Sequence, residues 1–163
     1  AGVFQTWTST HDEAMACVVE HIGARLLLTP EHYARWELIE RMETARLACS
    51  FLFEVDLQRD PARAREAFIR WYEPLVPVSD PVAWAVDSFR SIDPFRVQDY
   101  LIGDAVARAT LAFLLDRFGD DHAAWGSWLV ASFFADGRRR SLLDKVAALG
   151  DFYPDALATL SAG

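Results

Sequence analysis

The sequence predicts an all-α protein, a single multi-helix domain of about seven or eight helices. Three observations lead there. Apolar residues recur at the helical period over long stretches, and a cap-then-proline pair repeatedly marks where one helix gives way to the next. No stretch shows the β-branched alternation between hairpin turns that a strand requires. With 163 residues, 52% hydrophobic and 25% charged, the chain is long enough for one domain with a sizeable buried core and is too apolar to be disordered.

The elements follow in order. A helix is expected over Thr10–Leu28, with Ser9 and Thr10 as N-caps, Asp12 and Glu13 completing a capping-box pattern, and Ala14, Cys17, Val18, Ile22 and Leu26 as its apolar stripe. Thr29-Pro30 closes it and opens a longer one through Tyr33, Trp36, Ile39, Met42, Leu47 and Phe51 to about Leu57. Asp60-Pro61 repeats the device before Ala67, Phe68 and Trp71, and Pro74 and Pro77 break that helix. Ser79-Asp80-Pro81 predicts a short helix over Val82–Phe89. Asp93-Pro94 predicts a long one to about Phe118, where Gly119 is a natural stop. Helices are then expected over His122–Phe134, Ser141–Leu149 and Pro154–Leu160, with a turn at Asp136-Gly137.

Charge and composition remove several functions. Sixteen Lys and Arg against 24 Asp and Glu give a net charge of -8, the wrong sign for displacing counterions from nucleic acid. The one compact basic run, Arg138-Arg139-Arg140, reads as a solvated turn or helix start. No stretch reaches the roughly 18 uncharged apolar residues of a membrane span, and the start lacks a basic region followed by an apolar one. Cys17 and Cys49 sit at apolar helical positions without CxxC spacing. Buried free thiols in a reducing compartment, hence a cytoplasmic location, are the expectation. Six Trp and eleven Phe suit a thick core or an aromatic-lined cleft, and Trp71, Trp84, Trp125 and Trp128 read first as core.

Nucleophilic and phosphate chemistry find no support, since there is neither a GxSxG elbow nor a glycine-rich loop. Metal chemistry has candidates. His11, His21, His32 and His122 are the four histidines, none within HExxH, the spacing that sets two histidines on one helical face. His21 beside Glu20 reads as an exposed or capped pair. Glu13 by residue type alone is a first-turn acid serving the helix dipole, and Tyr100 is a helix tyrosine that packs.

The order of these features resembles the C-terminal half of gluzincin-type helical zinc metallopeptidases, the peptidyl-dipeptidase (angiotensin-converting-enzyme-like) and oligopeptidase families. THDEAMACVVEHI resembles the helix that carries the third zinc ligand there, with Glu13-Ala14 in the ligand position. PVAWAVDSFRSIDPFRVQDYLIGDAVA resembles the block leading into a tyrosine-bearing helix. Trp84-Ala85 and Pro94 match it, and Tyr100 falls at the transition-state-stabilising tyrosine. FFADGRRRSLLDKVAALGD, with Gly137 and Gly150, is similar to the closing segment. The resemblance implies zinc bound by Glu13 and two upstream histidines, a peptide substrate, and an oxyanion hydrogen bond from Tyr100.

The sequence also departs from that pattern. HExxH is missing, Phe89 stands where a carbonyl-binding histidine is expected, and Val97 where an aromatic is common. Residues 1–163 are therefore expected to be part of a larger catalytic domain. The AGVFQTW start, without Met, reads either as trimming or as the interior of a larger fold. Zinc is then expected only when an upstream HExxH segment completes the site, and a chain lacking that half is expected to be inactive and to associate with itself or with the missing half. The alternative is a non-catalytic helical protein of peptidase descent that binds a peptide or protein partner.

Overall fold

The computed structural model of the protein describes the backbone of residues 2–86 and 96–154, and the side chains of 9–85 and 96–154. The described residues are helical, with no strand among them. Helix α1 spans Gly2–Leu27, α2 Pro30–Arg59, and a 3-10 turn at Pro61–Arg63 leads into α3, Ala64–Tyr72. A second 3-10 turn covers Ala83–Val86. Helix α4 spans Val97–Phe118, α5 spans His122–Leu129 and continues as a π-helical turn over Val130–Phe134, and α6 spans Leu142–Ala147.

Two of the proline-marked starts, Thr29-Pro30 and Asp60-Pro61, form as expected. Thr29 caps α2 by accepting from the His32 amide at 3.3 Å, with Pro30 at the first helical position. Asp60 accepts from the Ala62 amide at 3.2 Å. Ser141 and Asp144 form a reciprocal capping box at α6, each accepting from the other's backbone amide. Gly119, Gly137 and Gly150 take positive φ where α4, the π turn and α6 end.

The start of α1 differs from the expectation. The helix is already under way at Gly2, so Ser9 and Thr10 lie inside it. Their hydroxyls donate instead to the buried carboxylate of Asp99 on α4. A charged acceptor on a neighbouring helix outweighs a local cap, a competition that reading along the chain does not reveal. The expected short helix over Val82–Phe89 is a 3-10 turn as far as Val86. Phe89, Asp93 and Pro94, together with positions 155–160 of the last expected helix, lie outside the described residues.

The main core joins α1 to α4. Ala14, Val18 and Ile22 meet Val106, Ala107, Ala109, Leu111 and Leu114, and Trp125, Leu129, Phe133, Val146 and Leu149 close the far side. A second cluster, Phe53, Ala67 and Phe68, holds α3 on α2, with Trp71 and Trp84 packed against it. Trp125 is thus core, and Trp71, Trp84 and Trp128 are half-buried at core edges. Lys145 is fully buried; its ammonium donates to the Phe133 and Gly137 carbonyls and pairs with Asp136 at 3.2 Å. The result is a scaffold in which α1, α2 and α4 meet along one seam.

Candidate functional site

The seam between α1 and α4 carries both residues singled out by the sequence. Thr10 meets Asp99, Ala14 meets Gly103 and His21 meets Asp104, so the contacts advance together along the two helices. They are close at Gly103. A Cβ there would stand 2.9 Å from Cys17 Sγ, 3.3 Å from the Glu13 carbonyl oxygen and 3.4 Å from Ala14 Cα. Only glycine lets the backbones approach this far.

Glu13 occupies the same place on α1. Its Oε1 accepts from Arg96 Nη2 at 2.9 Å, where α4 begins. Arg96, Tyr100 and Gly103 follow at i, i+4 and i+7, one face of one helix. Half-buried Tyr100 therefore stands between the residue that binds the Glu13 carboxylate and the residue that touches the Glu13 backbone. The structure brings together the helices bearing the two candidates, at the same level.

It does not assemble a metal centre there. Among the described residues Glu13 belongs to no group of three or more His, Cys, Asp or Glu side chains close enough to share an ion. His11 is buried, with Nδ1 3.5 Å from Asp12 Oδ1 and neither ring nitrogen hydrogen-bonded, but at i−2 it does not share the Glu13 face. A single carboxylate already paired to a guanidinium does not hold zinc. No step can be routed through zinc at Glu13 with these residues alone.

A second assembly, about two turns beyond Glu13 on α1 and one residue beyond Gly103 on α4, was not anticipated. His21 is not the exposed or capped partner of Glu20 that its sequence position suggests. It is 4% exposed, with Nε2 3.0 Å from Asp104 Oδ1 on α4. Its ring meets Trp36 of α2 edge-on, with centroids 4.9 Å apart. The other Asp104 oxygen accepts from Thr44 Oγ1 of α2 at 3.0 Å and from Arg108 Nε at 2.9 Å. Oδ1 is buried and faces the His21 ring. Glu40 of α2 completes the group: one ligand atom from each of His21, Glu40 and Asp104 lies within 4.8 Å of the others.

Burial pushes the Asp104 carboxyl up, but the contacts with His21 and the Arg108 guanidinium outweigh it and leave it below its ordinary value. Glu40 shifts the other way, raised by burial and by the neighbouring Glu20 and Asp104 carboxylates. Cys17, under the same seam, is pushed up to about 12 by burial and by Glu20, Asp104, Glu13 and Glu40, which removes it as a nucleophile. Beside the cluster a cleft of about 470 Å³ opens, lined by His21, Tyr33, Trp36, Arg108, Leu111 and Phe152 among others. The signal that could have located this group is the i, i+4 pair Asp104 and Arg108, a charged pair in an otherwise apolar helical run. His21 and Glu40 belong to it only through tertiary packing.

The chain matches no family model, no curated protein and no solved structure.

Proposed function

We propose that this chain is the C-terminal helical portion of a zinc-dependent peptidase acting on peptides. Glu13 supplies one zinc ligand and Tyr100 a hydrogen-bond donor to the oxyanion. The HExxH histidines and the general-base glutamate come from residues outside this sequence. One observation carries the reading: α1 and α4 are packed so that Glu13 lies against the face of α4 that bears Tyr100, between Arg96 and Gly103. A tyrosine on the helix face beside a ligand position is where a hydrogen-bond donor to charge developing on a carbonyl oxygen is needed.

The test is a longer version of the protein read from the coding DNA upstream of Ala1. An in-frame HExxH, stoichiometric zinc, and loss of that zinc on Glu13→Ala are the expected results. Unchanged zinc in Glu13→Ala removes Glu13 from the ligand set, and the absence of any upstream HExxH removes the peptidase reading.

A second reading has an observation of its own. The Glu13 carboxylate is occupied by Arg96, which is how a former ligand position looks when the site no longer takes metal. On that reading the chain binds a peptide or protein partner without hydrolysing it. A longer protein that binds peptides with neither zinc nor turnover decides in its favour.

A further inference from the structure

We infer that His21, Glu40 and Asp104 form a binding site for one divalent cation of the zinc class, built by α1, α2 and α4 and independent of the Glu13 position. The donor atoms come from three helices and already lie within 4.8 Å of one another. Zinc bonds of about 2.0–2.2 Å to nitrogen and oxygen place tetrahedral donors roughly 3.4 Å apart, so closing the site takes side-chain shifts of about 1 Å. One imidazole nitrogen and two carboxylates suit zinc and its first-row neighbours, whereas magnesium and calcium prefer oxygen alone. Three protein ligands leave a fourth position for water.

The surroundings favour a cation as well. Thr44 and Arg108 both donate to Asp104 Oδ2, which fixes the carboxylate and leaves Oδ1 turned to the group. These are the outer contacts that orient a ligand. Trp36 holds the His21 ring edge-on. Glu40 and Asp104, with Glu20 nearby, place more negative charge at the junction than the Arg108 guanidinium offsets. No ion pair among the described residues neutralises Glu40 directly, so two carboxylates approach each other with only one of them paired. A hydrogen-bonded His21–Asp104–Arg108 network accounts for those three residues but gives no reason for Glu40 to join them. The cleft that reaches His21 and Arg108 supplies a path for entry.

The test is calorimetric titration of the chelator-stripped 163-residue chain with Zn²⁺, followed by Co²⁺ and its visible spectrum. One saturating equivalent is expected, with a Co²⁺ spectrum of low coordination number and no matching heat from Mg²⁺. Glu40→Gln, on the more open side of the site, is expected to weaken binding at least about tenfold while leaving the fold intact, and His21→Gln to weaken it further. Glu13→Gln is expected to leave it unchanged, which separates this site from the peptidase reading. Absence of saturable Zn²⁺ binding overturns the proposal. So does binding that survives both Glu40→Gln and His21→Gln, or binding lost on Glu13→Gln but kept in Glu40→Gln.

Discussion

At the scale of single residues, Asp104 and Tyr100 make opposite demands. Asp104 is almost fully buried and is held by His21, Thr44 and Arg108, so its charge is part of the folded state. Asp104→Asn keeps the shape and removes the charge, leaving Arg108 and His21 facing a neutral amide. A loss of about 3 kcal/mol at neutral pH is expected in denaturant unfolding. The sign with pH follows from the lowered carboxyl. The folded state binds the proton less readily than the unfolded chain, so this stability is fully present above the ordinary value of 3.8 and fades as pH falls through the lower folded value. The gap between wild type and Asp104→Asn should therefore narrow in acid, and a gap constant from pH 7 to pH 2 would show that the carboxylate charge does not stabilise the fold. On the peptidase reading Tyr100 belongs to chemistry rather than to folding. In an active longer protein Tyr100→Phe should cut turnover by roughly a hundredfold or more, about 3 kcal/mol, with zinc content and stability little changed. Equal turnover would reduce Tyr100 to packing.

Among the elements, the α1–α4 seam depends on one position. At Gly103 an added methyl meets Cys17 Sγ, which can rotate away, and the Glu13 backbone, which cannot. Gly103→Ala is expected to destabilise by about 1–2 kcal/mol, overpacking outweighing the helix preference of alanine. Gly23→Ala and Gly126→Ala meet nothing within 4 Å and should instead stabilise by up to about 1 kcal/mol. Equal effects at all three would mean that the helices do not approach as described. The sequence allows much of this level to be read and misses a definable part. Starts fixed by local chemistry (Thr29-Pro30, Asp60-Pro61, Ser141 with Asp144) were legible, because capping side chain and amide are neighbours in the chain. The start of α1 was not, because the Ser9 and Thr10 hydroxyls are claimed by Asp99, ninety and eighty-nine residues away. His21 was misplaced for the same reason: its partner Asp104 is remote in the chain, and the charged neighbour beside it, Glu20, is exposed.

The whole molecule shows an imbalance between its two faces. The seam of α1, α2 and α4 is well filled, yet the far side of α2 presents Leu38, Ile39 and Met42 at 57–60% exposure. These positions share one face of α2. Leu26, Leu27 and Leu28, at the end of α1 and just beyond it, are also open to solvent. Single exposed apolar residues are ordinary, but several on one face mark a surface that gains by being covered. The net charge of -8 opposes association without preventing it, because screening at physiological salt limits repulsion to about 8 Å. The chain is therefore expected to self-associate with rising concentration in sedimentation velocity, and added salt should strengthen rather than weaken the effect. Ile39→Glu with Met42→Glu, placing two more charges on that face and none in the core, should shift the distribution to monomer while unfolding stability changes by less than about 1 kcal/mol. A chain that sediments as a monomer across the whole concentration range, with or without those substitutions, would show that this face is tolerated by solvent and leave no physical reason to place another half of a fold against it.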